Sequence, residues 1–509
     1  MKIVYIPLDE RPCNTDYPLN AAEVAKELTI VMPSKKIMGQ KKQPGNINAL
    51  REFVLEESRD ADAAVLSAEM LFYGGLLPSR LHFLNESALE EYRMLIHEIK
   101  ERNPDLTLYV SNLIMRTPSS SSSDEEPDYY GKYGAEIFQY GWLKDKKQRE
   151  GISEEEEKRL TDLTFFIPKE YVEDYEKRRH FNVKVNLLNS SLVKEGLVEC
   201  LVIPQDDAAE YGYTAMDQRK VLQSIRELDS GEIMIYPGAD EVGFTLLARA
   251  YNEQKGNRPK VYPIYSSTWG PFIVPLYEDR PISETMKAHI MACGCELASS
   301  AEDADMILAY NTPGKKMQES WEQENNQDVT YSTFRHLPTF VRKIEKMIEK
   351  GFLVVIADSA YSNGGDGELI RLLDKKGLLE KITSYKAWNT NGNTLGSTLA
   401  AGVLALSNPS KNKLKNNLLL HIYEDFIYQS IVRMEVTQEE LPDKGLNYFD
   451  LKGKKEEVRS LVKEKMQEER KKRLSHSFKK MDDASLSIDF PWNRMFEITC
   501  RIEKTETKE

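Results

Sequence analysis

The chain has 509 residues, of which 40% are apolar and 30% are charged, and its formal net charge is −13 with a pI near 5.4. This composition is typical of a globular protein with one large α/β domain and an extra module. The acidic balance argues against a nucleic-acid partner, because phosphates attract a basic surface, and it gives no sign of attraction to anionic membranes.

The N-terminus reads as a strand within two residues, without the basic and then apolar segments of a signal peptide. No apolar run approaches the roughly 18 residues that a membrane span needs. The scattered, odd-numbered cysteines are typical of reduced thiols and predict a cytoplasmic protein; they are Cys13, Cys200, Cys293, Cys295 and Cys500.

Short apolar strands alternate with amphipathic helices along most of the chain. We predict strands near residues 2–7, 28–32, 63–67, 107–111, 199–204, 232–236, 260–265, 305–309, 352–357 and 382–387. We predict the intervening helices at about 18–27, 46–57, 87–101, 215–228, 242–253, 283–293, 336–350, 366–377 and 395–406. Strands that alternate with helices at this spacing indicate a parallel sheet.

Two architectures are compatible with this alternation. The first is a (β/α)8-barrel-like parallel sheet with polar C-terminal loops, in a domain at 1–315 that carries a helical insertion at 132–197. Further βα units at 316–408 would complete the site, and a helical region at 409–509 would end in a strand-like tail. The alternative is two doubly wound α/β domains sharing a cleft.

Two segments depart from the βα rhythm. Ser119 to Ser123, followed by Asp-Glu-Glu-Pro, predicts a mobile, polar loop of low complexity. Within the insertion, Ser153 and the four glutamates after it predict a helix start, with a serine cap and acids in the first turn.

Polar side chains follow nearly every predicted strand. Asp206 and Asp207 come directly after the run Leu201 to Ile203, closed by Pro204, at the carboxyl end of a strand where α/β proteins bind ligands. Each such residue could also be a helix cap, but caps do not explain acidic clusters in several loops. We therefore expect a shared ligand site, with substrate bound by Asp9, Glu10, Arg11, Asn14, Glu69, Tyr73, Asn112, Arg116, Tyr211, Asp240, Glu241, Asn311, Asp358, Asp366, Trp388, Asn389 and Asn393.

The residue types in these loops limit the chemistry. All histidines lie outside them and are read as surface or helix residues, which weakens catalytic triads and zinc sites. No glycine-rich dinucleotide fingerprint follows the first strand, and there is no Walker loop. The sequence therefore predicts neither a cofactor nor a metal.

Carboxylates, amides, arginine and aromatic rings remain, and these are the groups used in carbohydrate chemistry. Two adjacent acids cannot both ionise freely, so we expect one pKa to rise and the other to stay low. The first acid could protonate the leaving oxygen while the second orients a substrate acetamido group. We predict that Asp206 and Asp207 divide these catalytic roles in an N-acetylhexosaminidase acting on a small or oligomeric sugar.

Four motifs carry a resemblance to a known family. Together, Pro7 to Asn14, Gln205 to Gly212, Pro237 to Gly243 and Trp388 to Gly396 resemble a bacterial family known only as domain of unknown function 4127. This resemblance covers essentially the whole chain and implies no activity. The Asp-Asp pair also looks like the catalytic pair of glycoside hydrolase family 84, a family of barrel enzymes that remove N-acetylglucosamine. These enzymes place an asparagine and a tryptophan on later strands, and Asn311 and Trp388 could correspond to them.

Two further functions remain open. Asp9, Glu69, Asp206, Asp240 and Asp358 could be the oxygen ligands of magnesium or manganese in a metal-dependent hydrolase or lyase. The loops could also bind a sugar without turning it over. The sequence does not predict the sugar, the linkage or the oligomeric state.

Overall fold

A computed structural model of the chain describes residues 1–226, 232–481 and 485–503. The chain divides into two compact units, and the boundary predicted at residue 315 falls inside the second of them. The first unit comprises Met1–Glu10, Thr29–Leu246 and Tyr277–Asp279, and the second comprises Arg11–Leu28, Leu247–Leu276 and Arg280–Glu509.

The first unit is built on a six-stranded sheet in which every pair of neighbours is parallel. The order across this sheet is β2-β1-β3-β4-β5-β6, so the first strand lies inside and the second at an edge. The strands are β1 (Lys2–Ile6), β2 (Thr29–Val31), β3 (Ala63–Ser67), β4 (Thr107–Ser111), β5 (Cys200–Gln205) and β6 (Ile233–Pro237).

The second unit contains a parallel sheet of five strands with the same kind of order. Its neighbours run β8-β7-β9-β10-β11, which again places the first strand of the unit beside the third. The strands are β7 (Lys260–Tyr265), β8 (Glu296–Leu297), β9 (Met306–Asn311), β10 (Leu353–Asp358) and β11 (Ser384–Lys386).

The predicted α/β class with parallel sheets is confirmed. Within the described residues the strands of the βα units form these two separate sheets, neither of which shows a closed barrel, and this matches the doubly wound sheets of the alternative. The physical reason is the reversal after the second strand of each unit. In a barrel each new strand is added on the same side of the previous one until the last strand pairs with the first. In each of these sheets the second strand lies on one side of the first strand and the third strand lies on the other, so the sheet keeps two open edges. Three further sheets among the described residues have only two strands each.

Helices cover the connections of the first unit. Three of them form the insertion between β4 and β5, where the described residues contain no strand, as predicted for 132–197. The helices are Ile47–Glu57, Ala68–Tyr73, Leu76–Leu81, Glu86–Arg102, Tyr130–Arg149, Glu154–Phe166, Lys169–Lys194, Tyr213–Ile225 and Val242–Gln254, the last of which crosses the boundary between the units.

The helix start predicted at Ser153 is confirmed. The Ser153 hydroxyl accepts a hydrogen bond from the backbone N–H of Glu156 at 3.2 Å, and the Glu156 carboxylate accepts one from the backbone N–H of Ser153 at 2.9 Å. This reciprocal capping box satisfies two backbone donors that the first helical turn leaves without partners.

The second unit is more helical, particularly toward its C-terminal end. It closes with an antiparallel pair, β12 (Ser485–Asp489) and β13 (Thr499–Glu503), as the alternating tail predicts. Its helices are Asp16–Ala22, Ile282–Ala292, Thr330–Thr333, Leu337–Glu349, Gly367–Lys375, Asn391–Leu404, Lys411–His421, the π-helix Ile422–Val432, Arg433–Glu435, the π-helix Val436–Glu440 and Lys455–Arg473.

Each unit has its own apolar core. In the first, Val4, Leu66 and Val110 lie on adjacent strands and are at most 1% exposed. In the second, Ile307 and Ile356 occupy the equivalent positions and are fully buried. Strands covered by helices on both faces need apolar side chains on both faces, so the unbroken apolar runs predicted these strands well. Among the described residues, no helix is both long and apolar enough to cross a membrane.

Candidate functional site

The two predicted catalytic acids lie where β5 ends. This strand is buried throughout, and its last residue, Gln205, is followed directly by Asp206 and Asp207. Asp207 has a φ of 46°, in the left-handed region that residues other than glycine seldom occupy. Such a conformation costs on the order of 1 kcal/mol and is concentrated at functional sites. The strained residue therefore lies at the sheet edge where doubly wound proteins bind ligands.

Arg80 binds the first of the two acids. Its Nη2 donates to Asp206 Oδ2 at 2.7 Å, and its Nη1 donates to Glu125 Oε2 and Glu126 Oε1, both at 3.1 Å. Arg80 is only 1% exposed. A buried guanidinium is stable only with several carboxylate partners, so these three contacts fix both the arginine and Asp206.

Arg116, predicted to bind substrate, is held by the same two glutamates. Its Nη2 donates to Glu125 Oε2 at 2.8 Å and its Nε donates to Glu126 Oε1 at 2.9 Å. Its Nη1 lies 3.5 Å from Asp207 Oδ2. These contacts join six side chains, which we call the arginine–carboxylate cluster: Arg80, Arg116, Glu125, Glu126, Asp206 and Asp207.

Both glutamates come from the acidic end of the serine-rich loop. Lys42 Nζ donates to the backbone oxygens of Ser123 at 2.6 Å and of Glu126 at 2.9 Å. Lys41 forms an ion pair with Asp124 in the same stretch. Charge-assisted hydrogen bonds thus tie this acidic end of the loop to the first unit, and the mobility of the loop stays a prediction.

If all four acids of the arginine–carboxylate cluster are ionised, their negative charges outnumber the positive charges of its two arginines. Burial and the neighbouring Asp206 raise the pKa of Asp207 to about 6, against the opposing charges of Arg116 and Arg80. Burial disfavours the charge on Arg116, but Glu125 and Glu126 overcome this, and the pKa of Arg116 rises well above its ordinary value. Asp207 can therefore exchange a proton near neutral pH while Asp206 stays paired with Arg80.

Glu69 and Asn112, two further predicted residues of the first unit, bind each other and the protein interior. Asn112 Nδ2 donates to Glu69 Oε1 at 2.7 Å, and the Asn112 side-chain oxygen accepts from Asn186 at 2.9 Å and from Asn189 at 3.2 Å. Burial raises the pKa of Glu69 to about 7, although the Asn112 amide and nearby backbone N–H groups oppose the rise. This network joins the helix Ala68–Tyr73 and the residue after β4 to the helix Lys169–Lys194, and substrate binding by Glu69 or Asn112 stays a prediction.

We expect Glu69→Gln to remove a pH dependence of stability. Since the pKa of Glu69 is about 7 in the folded state and ordinarily 4.5, the folded state binds this proton more tightly, and stability falls as the pH rises between these values. A shift of this size corresponds to about 3 kcal/mol. Urea unfolding measures the free energy of unfolding of the variant and of the wild type at pH 5 and at pH 8. The variant should gain up to about 3 kcal/mol relative to the wild type between pH 5 and pH 8. If the difference between the two proteins is the same at both pH values, Glu69 is not protonated in the folded state.

The two tyrosines predicted to contact substrate in the first unit pack against protein groups. The Tyr73 hydroxyl donates to Asn182 Oδ1 at 2.8 Å. The Tyr211 ring lies 5.0 Å from the Trp142 ring, and the Arg149 guanidinium lies 4.5 Å from the Tyr211 ring centre. Both rings are at least nine-tenths buried, so aromatic stacking on a sugar by either residue stays a prediction.

The remaining predicted residues of the first unit lie after β1 and β6. Asp9 is 2% exposed, Asp240 is 6% exposed and Glu241 is 1% exposed. Glu10 Oε1 accepts a hydrogen bond from the backbone N–H of Lys41 at 2.8 Å, and Glu241 Oε2 accepts one from the backbone N–H two residues before it at 3.0 Å. Glu10 and Glu241 thus stabilise the loops in which they lie.

In the second unit, the predicted residues Asn311, Asp358 and Asp366 converge in one buried network. Asn311 Nδ2 donates to Asp358 Oδ1 at 2.8 Å and to Asp366 Oδ2 at 3.1 Å. Arg335 Nη1 donates to Asp366 Oδ2 at 2.7 Å, and the Tyr385 hydroxyl donates to Asp358 Oδ2 at 2.9 Å. Burial and Asp366 raise the pKa of Asp358 to about 7. The sequence analysis did not anticipate the two partners Arg335 and Tyr385.

Asp366 also confirms the capping alternative. Its Oδ1 accepts the backbone N–H of Glu368 at 3.0 Å, at the start of the helix Gly367–Lys375. The same carboxylate therefore serves a helix end with one oxygen and Arg335 with the other. Such double use explains why an aspartate after a strand is a weak sign of function by itself.

Trp388 and Arg11 of the second unit take part in aromatic packing. The Trp388 ring lies 6.2 Å from the Tyr17 ring and 6.2 Å from the Phe496 ring. The Arg11 guanidinium lies 4.8 Å from the Trp492 ring centre, which is a cation–π contact. Trp388 is 4% exposed, so most of its surface contacts protein.

The predicted asparagines of the second unit lie in loops and at a helix start. Asn14 Nδ2 lies 3.5 Å from Cys13 Sγ. Asn389 has a φ of 63°, and its backbone oxygen accepts the N–H of Asn363 at 2.8 Å. Asn393 is 4% exposed in the first turn of the helix Asn391–Leu404. Substrate binding by any of the three stays a prediction.

His421 lies in the helix Lys411–His421, as predicted for a surface or helix residue, but it is buried. His421 is 1% exposed, and its Nδ1 lies 3.1 Å from Asp425 Oδ1. The i, i+4 spacing of a histidine and an aspartate on a helix is the sequence signal that could have revealed this pair.

The metal-ligand alternative gains no support from the geometry. Across residues 1–226, 232–481 and 485–503, no three His, Cys, Asp or Glu side chains are grouped so as to hold a metal ion. Of the ligands proposed for it, Glu69 is hydrogen-bonded to Asn112, Asp206 is paired with Arg80, and Asp358 belongs to the second unit.

Comparison with known proteins gives one family. The model of the family described as "Protein of unknown function (DUF4127)" matches residues 3–501, nearly the whole chain. No curated protein matches the chain. The resemblance carried by the four sequence motifs is thereby confirmed, while the likeness to glycoside hydrolase family 84 stays a prediction.

Proposed function

We propose that this chain, which belongs to the DUF4127 family, is a glycoside hydrolase whose catalytic acids are Asp206 and Asp207. One observation carries the proposal. Two adjacent acids at a strand end differ in environment, since Asp206 is paired with Arg80 at 2.7 Å while the pKa of Asp207 is raised to about 6 by burial and by Asp206. Acid–base catalysis near neutral pH needs such a difference.

In the proposed reaction, Asp207 donates its proton to the glycosidic oxygen as the bond to the leaving group breaks. Asp206, held by Arg80 at 2.7 Å, orients the substrate's acetamido N–H, so that the acetamido oxygen attacks the anomeric carbon. Water then opens the cyclic intermediate, and Asp207 accepts the proton of that water. Arg80 fixes the Asp206 carboxylate through Oδ2, which leaves Oδ1 for the substrate in this assignment.

Two features favour catalysis over a sugar-binding protein without turnover. The left-handed backbone of Asp207 is a strained conformation, and binding a neutral sugar does not require it. The raised pKa of Asp207 makes its carboxyl a proton donor, whereas hydrogen bonding to sugar hydroxyls works equally well with an ordinary carboxylate.

A panel of chromogenic aryl glycosides, with and without a chelator, tests this function. We expect release of the aryl group from an N-acetylhexosaminide, at the same rate in the presence of chelator. Loss of activity with chelator and its return with magnesium or manganese would favour the metal-dependent alternative. Calorimetric binding of a sugar with no product after prolonged incubation would favour a binding protein.

The proposal includes a cytoplasmic location. The five cysteines are buried and form no disulfide, including Cys293 and Cys295, which are only two residues apart. Reduced cysteines are typical of a reducing compartment, whereas exported proteins tend to form disulfides. The substrate would then be a small or oligomeric sugar inside the cell.

A further inference from the structure

A group of buried ionisable side chains lies at the end of β11 in the second unit. Lys386 is the last residue of this strand and is 2% exposed. The backbone N–H of the next residue donates to Asp425 Oδ2 at 2.8 Å, which brings the strand end to the π-helix Ile422–Val432. We call this group the Lys386 cluster: Tyr17, Lys386, His421, Glu424 and Asp425.

Two polar atoms of the Lys386 cluster lack partners. Within the described part of the chain, Lys386 Nζ and His421 Nε2 are buried and make no hydrogen bond. Glu424 has the Tyr17 hydroxyl as its hydrogen-bonding neighbour. Buried polar groups without a partner are rare in native proteins, so an unpartnered amine beside an unpartnered imidazole nitrogen points to a ligand that satisfies both.

The geometry orients these groups for chemistry. His421 Nδ1 lies 3.1 Å from Asp425 Oδ1, so the carboxylate holds the proton on Nδ1 and leaves a lone pair on Nε2. The Tyr17 ring lies 4.6 Å from the His421 ring, and Lys386 Nζ lies 5.7 Å from the Tyr17 ring centre. One aromatic ring thus contacts both the imidazole and the amine.

The helix that carries the two acids has an unusual backbone. Glu424 and Asp425 lie in the first turn of the π-helix Ile422–Val432. Most π-helical segments are single turns inside α-helices, and they occur frequently at functional sites. The π-helix Ile422–Val432 is longer than a single turn, and it is a feature of this segment that does not depend on the unpartnered atoms.

The protonation states fit a nucleophilic amine. Burial lowers the pKa of Lys386 to about 7, although Asp425 and Glu424 oppose this. Burial and Lys386 lower the pKa of His421 to about 4, so its imidazole is neutral. Burial and Asp425 raise the pKa of Glu424 well above its ordinary value, against the Tyr17 hydroxyl and Lys386. Near pH 7 the Lys386 cluster thus combines an amine that is neutral in about half of the molecules, a neutral base and a protonated acid.

We propose that the Lys386 cluster is a second reactive site, in which the amine of Lys386 forms an imine with the carbonyl carbon of a small aldehyde or ketone. The Nζ lone pair attacks the carbonyl carbon, and the carbonyl oxygen takes the proton of Glu424. His421 Nε2 removes a proton from the new ammonium group. The hydroxyl then leaves as water after regaining a proton from His421, the C=N bond forms, and loss of the remaining Nζ proton to the Glu424 carboxylate gives the neutral imine.

Other ligand classes fit less well. A phosphate or carboxylate would lie beside the Asp425 carboxylate, and like charges in a buried site repel strongly. A buried lysine that served only structure would be expected to donate to a carboxylate, whereas Lys386 Nζ makes no hydrogen bond within the described residues.

Reductive methylation of the full chain tests the amine. We expect formaldehyde with cyanoborohydride at pH 7 to methylate Lys386 at least about tenfold faster than the exposed Lys381, as measured by peptide mass spectrometry. At pH 7 the unprotonated fraction of the Lys386 amine exceeds that of an ordinary lysine by roughly 1000-fold. Lys386 should therefore react faster even though the reagent reaches a buried residue more slowly. Equal or slower modification of Lys386 would overturn the proposal.

Trapping with glycolaldehyde and borohydride tests the carbonyl site. We expect a reduced adduct at Lys386 that Lys386→Met abolishes and the matched control Lys381→Met retains. Glu424→Gln keeps the amine and should slow adduct formation by about tenfold or more, which also covers the case that Lys386→Met does not fold. Methylation of Lys386 without any glycolaldehyde adduct would overturn the proposal. Glycoside hydrolysis is not used in either experiment, so the two proposals can fail separately.

Discussion

Asp207→Asn should lower kcat for an aryl N-acetylhexosaminide by about 10²–10⁴-fold, the usual contribution of a positioned general acid. The asparagine keeps the shape of the side chain and its place beside Arg116, but it has no acidic proton for the leaving oxygen. The effect should depend on the substrate. A dinitrophenyl leaving group departs without protonation, so the variant should lose much less activity on that glycoside than on a methylumbelliferyl or nitrophenyl one.

The comparison with Asp206→Asn separates the two acids. Asp206 is assigned to the acetamido group, so its loss should slow all three substrates about equally, without recovery on the dinitrophenyl glycoside. Asp105→Asn makes the same chemical change at an exposed turn of the first unit and should leave all rates unchanged. Equal losses on every substrate for Asp207→Asn would show that Asp207 does not protonate the leaving group.

Arg80→Met should destabilise the protein by about 3–5 kcal/mol at pH 7. Arg80 is 1% exposed and binds Glu125, Glu126 and Asp206. Methionine fills a similar volume but carries no charge. Arg116 is then the one arginine of the arginine–carboxylate cluster that remains beside the carboxylates. Because the cost arises from like charges in a buried place, it should shrink at pH 4, where carboxylates become protonated. Urea unfolding at both pH values measures the difference.

The matched control for this prediction is Arg102→Met. Arg102 forms an ion pair with Glu98 on the helix Glu86–Arg102, with a side chain that is 36% exposed. A pair of this kind is worth at most about 1 kcal/mol, since water screens both charges. If Arg80→Met costs no more than Arg102→Met, the arginine–carboxylate cluster does not stabilise the first unit.

Local patterns in the sequence predicted much of the fold. All ten predicted strands form, because each is a short apolar run bounded by turn residues. The two-residue strands were missed, since two residues are too few to show a pattern; they are β8, Gly39–Gln40, Gln43–Pro44, Gln318–Glu319 and Tyr361–Ser362. The order of the strands was not predictable with the same certainty, because one alternation of strand and helix is compatible with a barrel and with doubly wound sheets.

The candidate site was predicted only in part. Asp206 and Asp207 were found because they follow a strand directly, and position relative to a strand can be read from a sequence. Glu125 and Glu126 were assigned to a loose loop, since nothing local indicates that Arg80 and Arg116 approach them from distant segments. Contacts over long sequence separations depend on the tertiary fold, which is why the ion pairs were missed.

His421 is a related case on the second unit. No histidine lies among the polar side chains that directly follow the predicted strands. Helix packing nevertheless brings His421 beside Lys386 and the Tyr17 ring. Its partner Asp425 lies one helical turn away, a spacing that could have been recognised. The burial of this pair depends on the tertiary fold, so it could not have been recognised from the sequence.

The pH dependence of kcat/KM for an aryl N-acetylhexosaminide tests the central claim most directly. With the pKa of Asp207 raised to about 6 by burial and Asp206, the protonated form disappears above that pH, and the rate should fall about tenfold per pH unit. Asp207→Asn should retain a small rate that no longer falls in this range. A wild-type rate that stays constant between pH 5 and 8, or a variant with the wild-type profile, would contradict Asp207 as the proton donor.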